Sequence, residues 1–204
     1  RNPEVDFHGQ KRSNETHASR TDPEAKLYRK GNGQPSILAH MGHVLSENRH
    51  GLIMRVQVTQ ASGTAEREAT LSMLEQYEKH TGHRPKTIGA DKGYDSGEFL
   101  QTLESREIEP HIAIRDVKRD HEARPSHQQA AHEARVRMQA RRDKTGYQRS
   151  QRCRKKVEEC FGWFKTIAGL DKLRHVGQWK IQQQLELAGA AFNLIRLRKL
   201  APLT

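Results

Sequence analysis

Cysteine, aromatic residues and long apolar runs are all scarce in this sequence. Its 204 residues include two cysteines, Cys153 and Cys160. Seven apart on one prospective helix face, they fit neither a disulfide framework nor a metal knuckle, and they read as small core residues of a reducing cytoplasm. The best candidate for a membrane span, Leu185 to Ile195, is short and contains Glu186 and Asn193, which excludes a spanning helix. No signal peptide is visible. Hydrophobic residues make up 33% of the chain, enough for a modest core in one domain with an appendage. Trp163 and Trp179 read as core or interface residues rather than base-stacking platforms.

What is plentiful is positive charge. Thirty-six Lys+Arg against 25 Asp+Glu give a formal charge of +11, and a chain this basic expects a polyanion as its partner. The chain opens on Arg1 without a methionine and is read as part of a longer one.

From Arg1 to Asp22 the sequence is polar and aperiodic, a loop or arm. Leu27 to Arg29, Ile37 to Ser46 and Leu52 to Thr59 then read as antiparallel strands joined by turns. In the third strand Ile53, Arg55, Gln57 and Thr59 face one way and Leu52, Met54, Val56 and Val58 the other. His40 and His43, three apart on a strand, point to opposite faces and make no metal site. Thr64 to His80 is helical, with Glu66 and Glu68 favourable near its amino pole, and Gly82 stops it. Lys86 to Ala90 is a short strand, Asp95 with Glu98 resembles a capping box opening a helix, and His111 to Ile114 is the next strand. That order implies a parallel, right-handed crossover. Asp91 falls at the carboxyl end of a strand, where open α/β sheets place their ligands, although an aspartate in Asp-Lys-Gly also suits a plain turn.

Ser150 to Gly169 has the strongest pattern. Cys153, Val157, Cys160, Phe161, Phe164 and Ala168 form an apolar stripe at helical spacing. Arg154 and Lys165 flank Glu158 along a neighbouring face. Ordinary pairing four residues apart would account for the charges, but Glu159 duplicates the acid and Gly162, costing about 1 kcal/mol against alanine, leaves room one turn past Glu158. A last helix, Gln178 to Lys199, carries Ile181, Leu185, Ala188, Phe192 and Ile195 and is expected to pack on the Glu158 helix.

The segments DFHGQKRSNETHASRTDPEAKLYRKG, MGHVLSENRHGLI, TQASGTAEREA, GADKGYD and SQRCRKKVEECFGWFKTIAGLDKLRH resemble the transposases of bacterial insertion sequences of the DDE superfamily. The resemblance implies an α/β, ribonuclease-H-like (retroviral-integrase-like) mixed sheet flanked by helices. Within it, Asp91 matches the second catalytic carboxylate and Glu158 the third, inside the signature Tyr-x2-Arg-x3-Glu-x6-Lys. Arg154 and Lys165 take the Arg and Lys positions, and Gln151 stands where the signature has Tyr. The first Asp and its strand have no counterpart here; Asp6 and Asp22 both lie in the polar arm. The plan implied is an arm over 1–24 and a catalytic domain over 25–200, truncated at its start, with 116–149 a basic, mobile insertion.

The chemistry explains the residue types. Cutting a phosphodiester needs both attacking and leaving oxygens stabilised, which two Mg2+ (or Mn2+) ions about 4 Å apart can do, and magnesium takes carboxylate oxygens. The resemblance implies Asp91 on one ion and Glu158 on another, with the missing Asp bridging them. Arg154, Lys165, Gln151, Arg152, Lys155 and Lys156 are the expected phosphate contacts. The interval 115–156, with Lys118, Arg119, Arg124, Arg135, Arg137, Arg141 and Arg142, has few large apolar residues; it is expected to bury no core, to form a short helix near Ala130 to Arg142, and to track the DNA backbone. Double-stranded DNA at element ends and target is the implied partner, a homodimer on DNA the implied assembly, and the cytoplasm, with the nucleoid when DNA is bound, the implied location. Two other readings stay open: a non-catalytic DNA-binding remnant, and a ribonuclease-H-like nuclease acting on RNA.

Overall fold

The computed structural model describes residues 13–16, 18–29, 31, 33–116 and 126–201. The architecture is mixed α/β, consistent with the ribonuclease-H-like plan. Strands β1 (Lys26–Tyr28), β2 (Ile37–Ser46) and β3 (Ile53–Gln60) form an antiparallel sheet in that order. The β2–β3 turn is built on Glu47, whose carboxylate accepts the backbone N–H groups of Arg49 and His50, both at 2.6 Å, and of Leu52 at 3.1 Å. A register shift beside it pairs Ser46 with Ile53 but Leu45 with Arg55, skipping Met54. The alternation expected in β3 is therefore broken: the bulge turns Ile53 onto the face of Val56 and Val58, and all three join one core while Met54 is exposed.

Helix α1 (Ala65–Thr81) ends where Gly82 adopts φ 68° and returns its N–H to Glu78 O, a left-handed turn that glycine makes without steric cost. β4 (Thr87–Ala90) and β5 (Glu109–Ile112) pair in parallel across α2 (Gly97–Ser105), the crossover the sequence order implies. β5 begins two residues before the expected His111: Glu109 N already bonds Lys86 O at 2.9 Å, and the ladder stops at Ala113 N to Ala90 O because β4 stops there. The capping box is not formed. Ser96 is the N-cap of α2 without a side-chain bond, and Asp95 instead takes Arg135.

Four more helices follow, α3 (Ser126–Ala140), α4 (Thr145–Arg154), α5 (Lys156–Thr166) and α6 (Gln178–Leu200). Two corrections to the sequence reading arise here. The expectation that 115–156 buries no core fails, because Ala134 and Met138 of α3 are fully buried with Phe99, Leu100 and Leu103 of α2. Two small or slender side chains at helical spacing suffice once arginines fix the helix: Arg137 and Arg141 both pair with Glu104 on α2. Lys118, Arg119 and Arg124 lie outside the described residues. The stretch expected as one helix is two, starting earlier and broken at Lys155, where Glu158 N bonds Lys155 O at 3.0 Å instead of a carbonyl a full turn back.

The break separates two cores. One surrounds β4 and β5 with Leu74 of α1, α2 and α3, and Tyr147 of α4 packs on it. The other joins Ile53 and Val58 of β3 to Cys160 and Phe164 of α5 and to Ile181, Leu185, Ala188 and Phe192 of α6. α6 lies mainly along β3: Asn193 accepts Ile53 N and donates to Ile53 O, both at 2.8 Å, and Gln182 accepts Val58 N at 2.7 Å while donating to Val56 O at 3.1 Å. Ile195, expected in the core stripe, is exposed. Trp163 packs edge-on against Phe164 and Phe192, whereas Trp179 is exposed. The amino end of α6 is held by the arm, with Glu24 accepting Gln178 N at 2.6 Å and Asp22 accepting Gly177 N at 3.5 Å, and Asp22 also ties the arm to His40 of β2 at 2.9 Å. Among the described residues the two sheets share no hydrogen bond.

Candidate active site

Asp91 leaves the end of β4 and opens a single 3-10 turn, Lys92–Tyr94. One of its oxygens, Oδ1, accepts Gly93 N at 2.8 Å, so the turn fixes the carboxylate while its side chain stays exposed.

Glu66, in the first turn of α1, reaches the same place. A side-chain carbon at Gly93 would sit 3.1 Å from Asp91 Oδ1 and 3.2 Å from Glu66 Oε2, so glycine there lets two carboxylates close on one backbone atom. Burial raises the Glu66 carboxyl above its ordinary range, and the Asp91 charge adds to it. From the sequence Glu66 was legible only as a charge favouring the helix amino pole; its proximity to Asp91 is tertiary. Tyr94 follows, pushed up to about 12 chiefly by burial.

These groups line a cavity of about 400 Å3 between the two sheets. Gly42 to Ser46 of β2, Thr87 to Ala90 of β4, Glu66, Thr70 and Leu74 of α1, and Arg154, Val157 and Phe161 of the later helices all line it. Two strand edges border this slot among the described residues: β1 pairs only with Ile37 to Ala39 of the middle strand β2, leaving Gly42 to Ser46 without a ladder partner on that side, and β4 pairs only with β5. His43 borders it with its ring bonded to Thr59 Oγ1 at 2.8 Å, and burial lowers it to about 4.

Arg154 ends α4 and lines the cavity with Asp91. Glu158, on the next turn across the break, is exposed and flanks the lining residues Val157 and Phe161. Among the described residues Glu158 forms no ion pair, so the Arg154–Glu158 pairing that would make the helix charges ordinary is not formed; Arg154 gives Nε to Gln151 instead. Glu159 pairs with Arg196. A side chain at Gly162 would meet nothing within 4 Å, and Lys165 is exposed beyond it. Arg152 and Lys155 are exposed as well. Lys156 spends its ammonium on the carbonyls of Asn48 and Arg49 in the β2–β3 turn, and Gln151 donates to Ala90 O and His111 O.

The cysteines take no part. Cys160 is buried and burial pushes its thiol up to about 12. Among the described residues no three of His, Cys, Asp and Glu converge as a cage for a metal ion, and no helix is long and apolar enough to cross a membrane. No curated protein and no solved structure matches the chain. The family model of the transposase DDE domain does match, over residues 8–194. A carboxylate at the end of a parallel strand, lining one cavity with an arginine in a basic α/β chain, therefore sits in a protein that belongs to the transposase DDE domain family, whose work is DNA transposition.

Proposed function

We propose that the chain carries the second and third carboxylates, Asp91 and Glu158, of a site that cuts the ends of an insertion sequence and joins them to target DNA. The observation that carries the reading is the slot between β2 and β4, with Asp91 and Arg154 both on its walls. One extended strand between those edges would give each a hydrogen-bonding partner and unite the two sheets. An aspartate on that strand would be the first acid of the triad. The location expected for such a protein is the cytoplasm, on the nucleoid, and joining two element ends calls for two copies on DNA.

The acids described do not by themselves fit a two-ion magnesium site, since no three converge among the described residues. Bound divalent ions would supply the charge stabilisation of the displacement once the third acid is in place. The chain's own cations act on the substrate. Among the described residues neither terminal nitrogen of Arg154 has a partner, which leaves both for a phosphate, and Lys165, Arg152 and Lys155 present exposed charge along α4 and α5.

The same shortage of a third acid favours a second reading, a DNA-binding remnant without cleavage. Magnesium-dependent nicking of supercoiled DNA separates the two. The chain, a form extended at its amino end, and the extended form with Asp91→Asn or Glu158→Gln would be compared. Nicking by the extended form, abolished by either substitution, supports the transposase. Salt-sensitive DNA binding without nicking by any form leaves the remnant.

A further inference from the structure

Gln151 stands one turn before Arg154 and is half-buried. Its side-chain nitrogen donates to Ala90 O at 3.2 Å and to His111 O, so both of its N–H groups are spent on the ends of β4 and β5. Its oxygen accepts Arg154 Nε at 3.3 Å. The reverse amide orientation would set oxygen against two carbonyls, so the network fixes which atom is which. A phosphate oxygen only accepts hydrogen bonds, and this amide has no donor left to offer one.

We infer that Gln151 is a positioning residue: it braces α4 against the end of β4 and holds the Arg154 guanidinium at the cavity that Asp91 also lines, without touching DNA itself. The inference rests on Arg154 being a phosphate contact. Ala90 immediately precedes Asp91, so one side chain ties the cation to the strand that carries the acid. With Nε held, the two terminal nitrogens of Arg154 remain paired in one plane, the geometry that meets two phosphate oxygens at once.

The test is a double-substitution cycle on the full chain, read by fluorescence anisotropy of a short DNA duplex over a salt series, with thermal unfolding as a check on folding. Arg154→Met is expected to weaken binding roughly tenfold, as for a charged hydrogen-bonded contact, and to flatten the log–log salt slope by about 0.9, one phosphate's share. Gln151→Met is expected to weaken binding about threefold alone and to add nothing in the Arg154→Met background. A full, independent loss in that background would make Gln151 a direct contact and overturn the inference, as would parental binding by Gln151→Met. If Arg154→Met binds as the parent does, Arg154 is no phosphate contact and the inference falls, whereas the transposase reading stands or falls on nicking. Should Gln151→Met not fold, the unsubstituted chain decides by nuclear magnetic resonance: slow solvent exchange of the Arg154 Nε proton is expected, and fast exchange would overturn the inference.

Discussion

Arg135 forks onto Asp95, with Nε to Oδ1 at 2.8 Å and Nη2 to Oδ2 at 2.9 Å, on a carboxylate whose side chain is only 6% exposed. This pair docks α3 beside the turn that begins at Asp91. Arg135→Met would strand a nearly buried charge and is expected to cost about 3 kcal/mol. Arg135→Lys keeps the charge but loses the planar fork, and about half that loss is expected. Urea unfolding of the three proteins measures both.

Two glycines should respond in opposite directions to alanine. At Gly97 a side-chain carbon would lie 2.4 Å from Ala131 O and 2.7 Å from Ala131 C, backbone atoms of α3 that cannot step aside alone. A loss of about 3 kcal/mol is expected, with α2 and α3 pushed apart. At Gly162 the added carbon meets open space inside α5, and a gain of up to about 1 kcal/mol is expected from helix propensity. Thermal unfolding reads both signs.

His43 predicts acid sensitivity. Its folded value, about 4, lies below the ordinary 6.5 because the ring is buried, so between these limits the unfolded chain binds the extra proton. Stability attributable to His43 is complete above pH 6.5 and is lost as pH falls towards 4, by about 3 kcal/mol in all. His43→Gln lowers stability at neutral pH but should flatten the dependence between pH 4 and 6.5. Equal slopes in variant and parent would contradict the burial argument.

The arginines divide into two duties. Those of α3 and the turn that follows it are committed: Arg137 of the helix and Arg141 of the turn hold Glu104, whose carboxyl they lower against the opposing effect of burial, and Arg142, also in the turn, holds Asp116. Arg137→Gln should reduce stability by about 1 kcal/mol and leave DNA affinity within twofold. Arg152→Gln, on the exposed face of α4, should leave stability within about 0.5 kcal/mol and reduce the salt slope by about 0.9. Paired melting and anisotropy measurements separate the two duties.

How far the sequence could be read depended on the range of the interaction. β2, the start of α1, the stop at Gly82 and the order β4–α2–β5 follow from local periodicity and turn chemistry, and their limits were legible within a residue or two. Asp91 was legible for the same reason, being placed by a strand end and a glycine turn. The break at Lys155 was not: backbone angles there remain helical, and the interruption follows from α4 and α5 packing on different cores. Packing of α3 was hidden because its anchors, Asp95 and Glu104, sit 40 and 33 residues away from Arg135 and Arg137. Glu66 stayed invisible as a neighbour of Asp91 because Gly93, the residue that lets them meet, carries no side chain to betray the contact.

The break at Lys155 has a consequence for timing. Asp91 and Arg154 lie at the β4 end of the β4–β5 core, whereas Glu158 is on α5, which packs on the β2–β3 core, and Lys155 joins the two helices. A strand filling the slot would act as a spacer gauge between two jaws, setting acid against acid in the same event that completes the sheet. If the proposed Asp91–Glu158 site is assembled in this way, it is latent until its last strand is seated, which would protect the host's DNA from a half-finished enzyme.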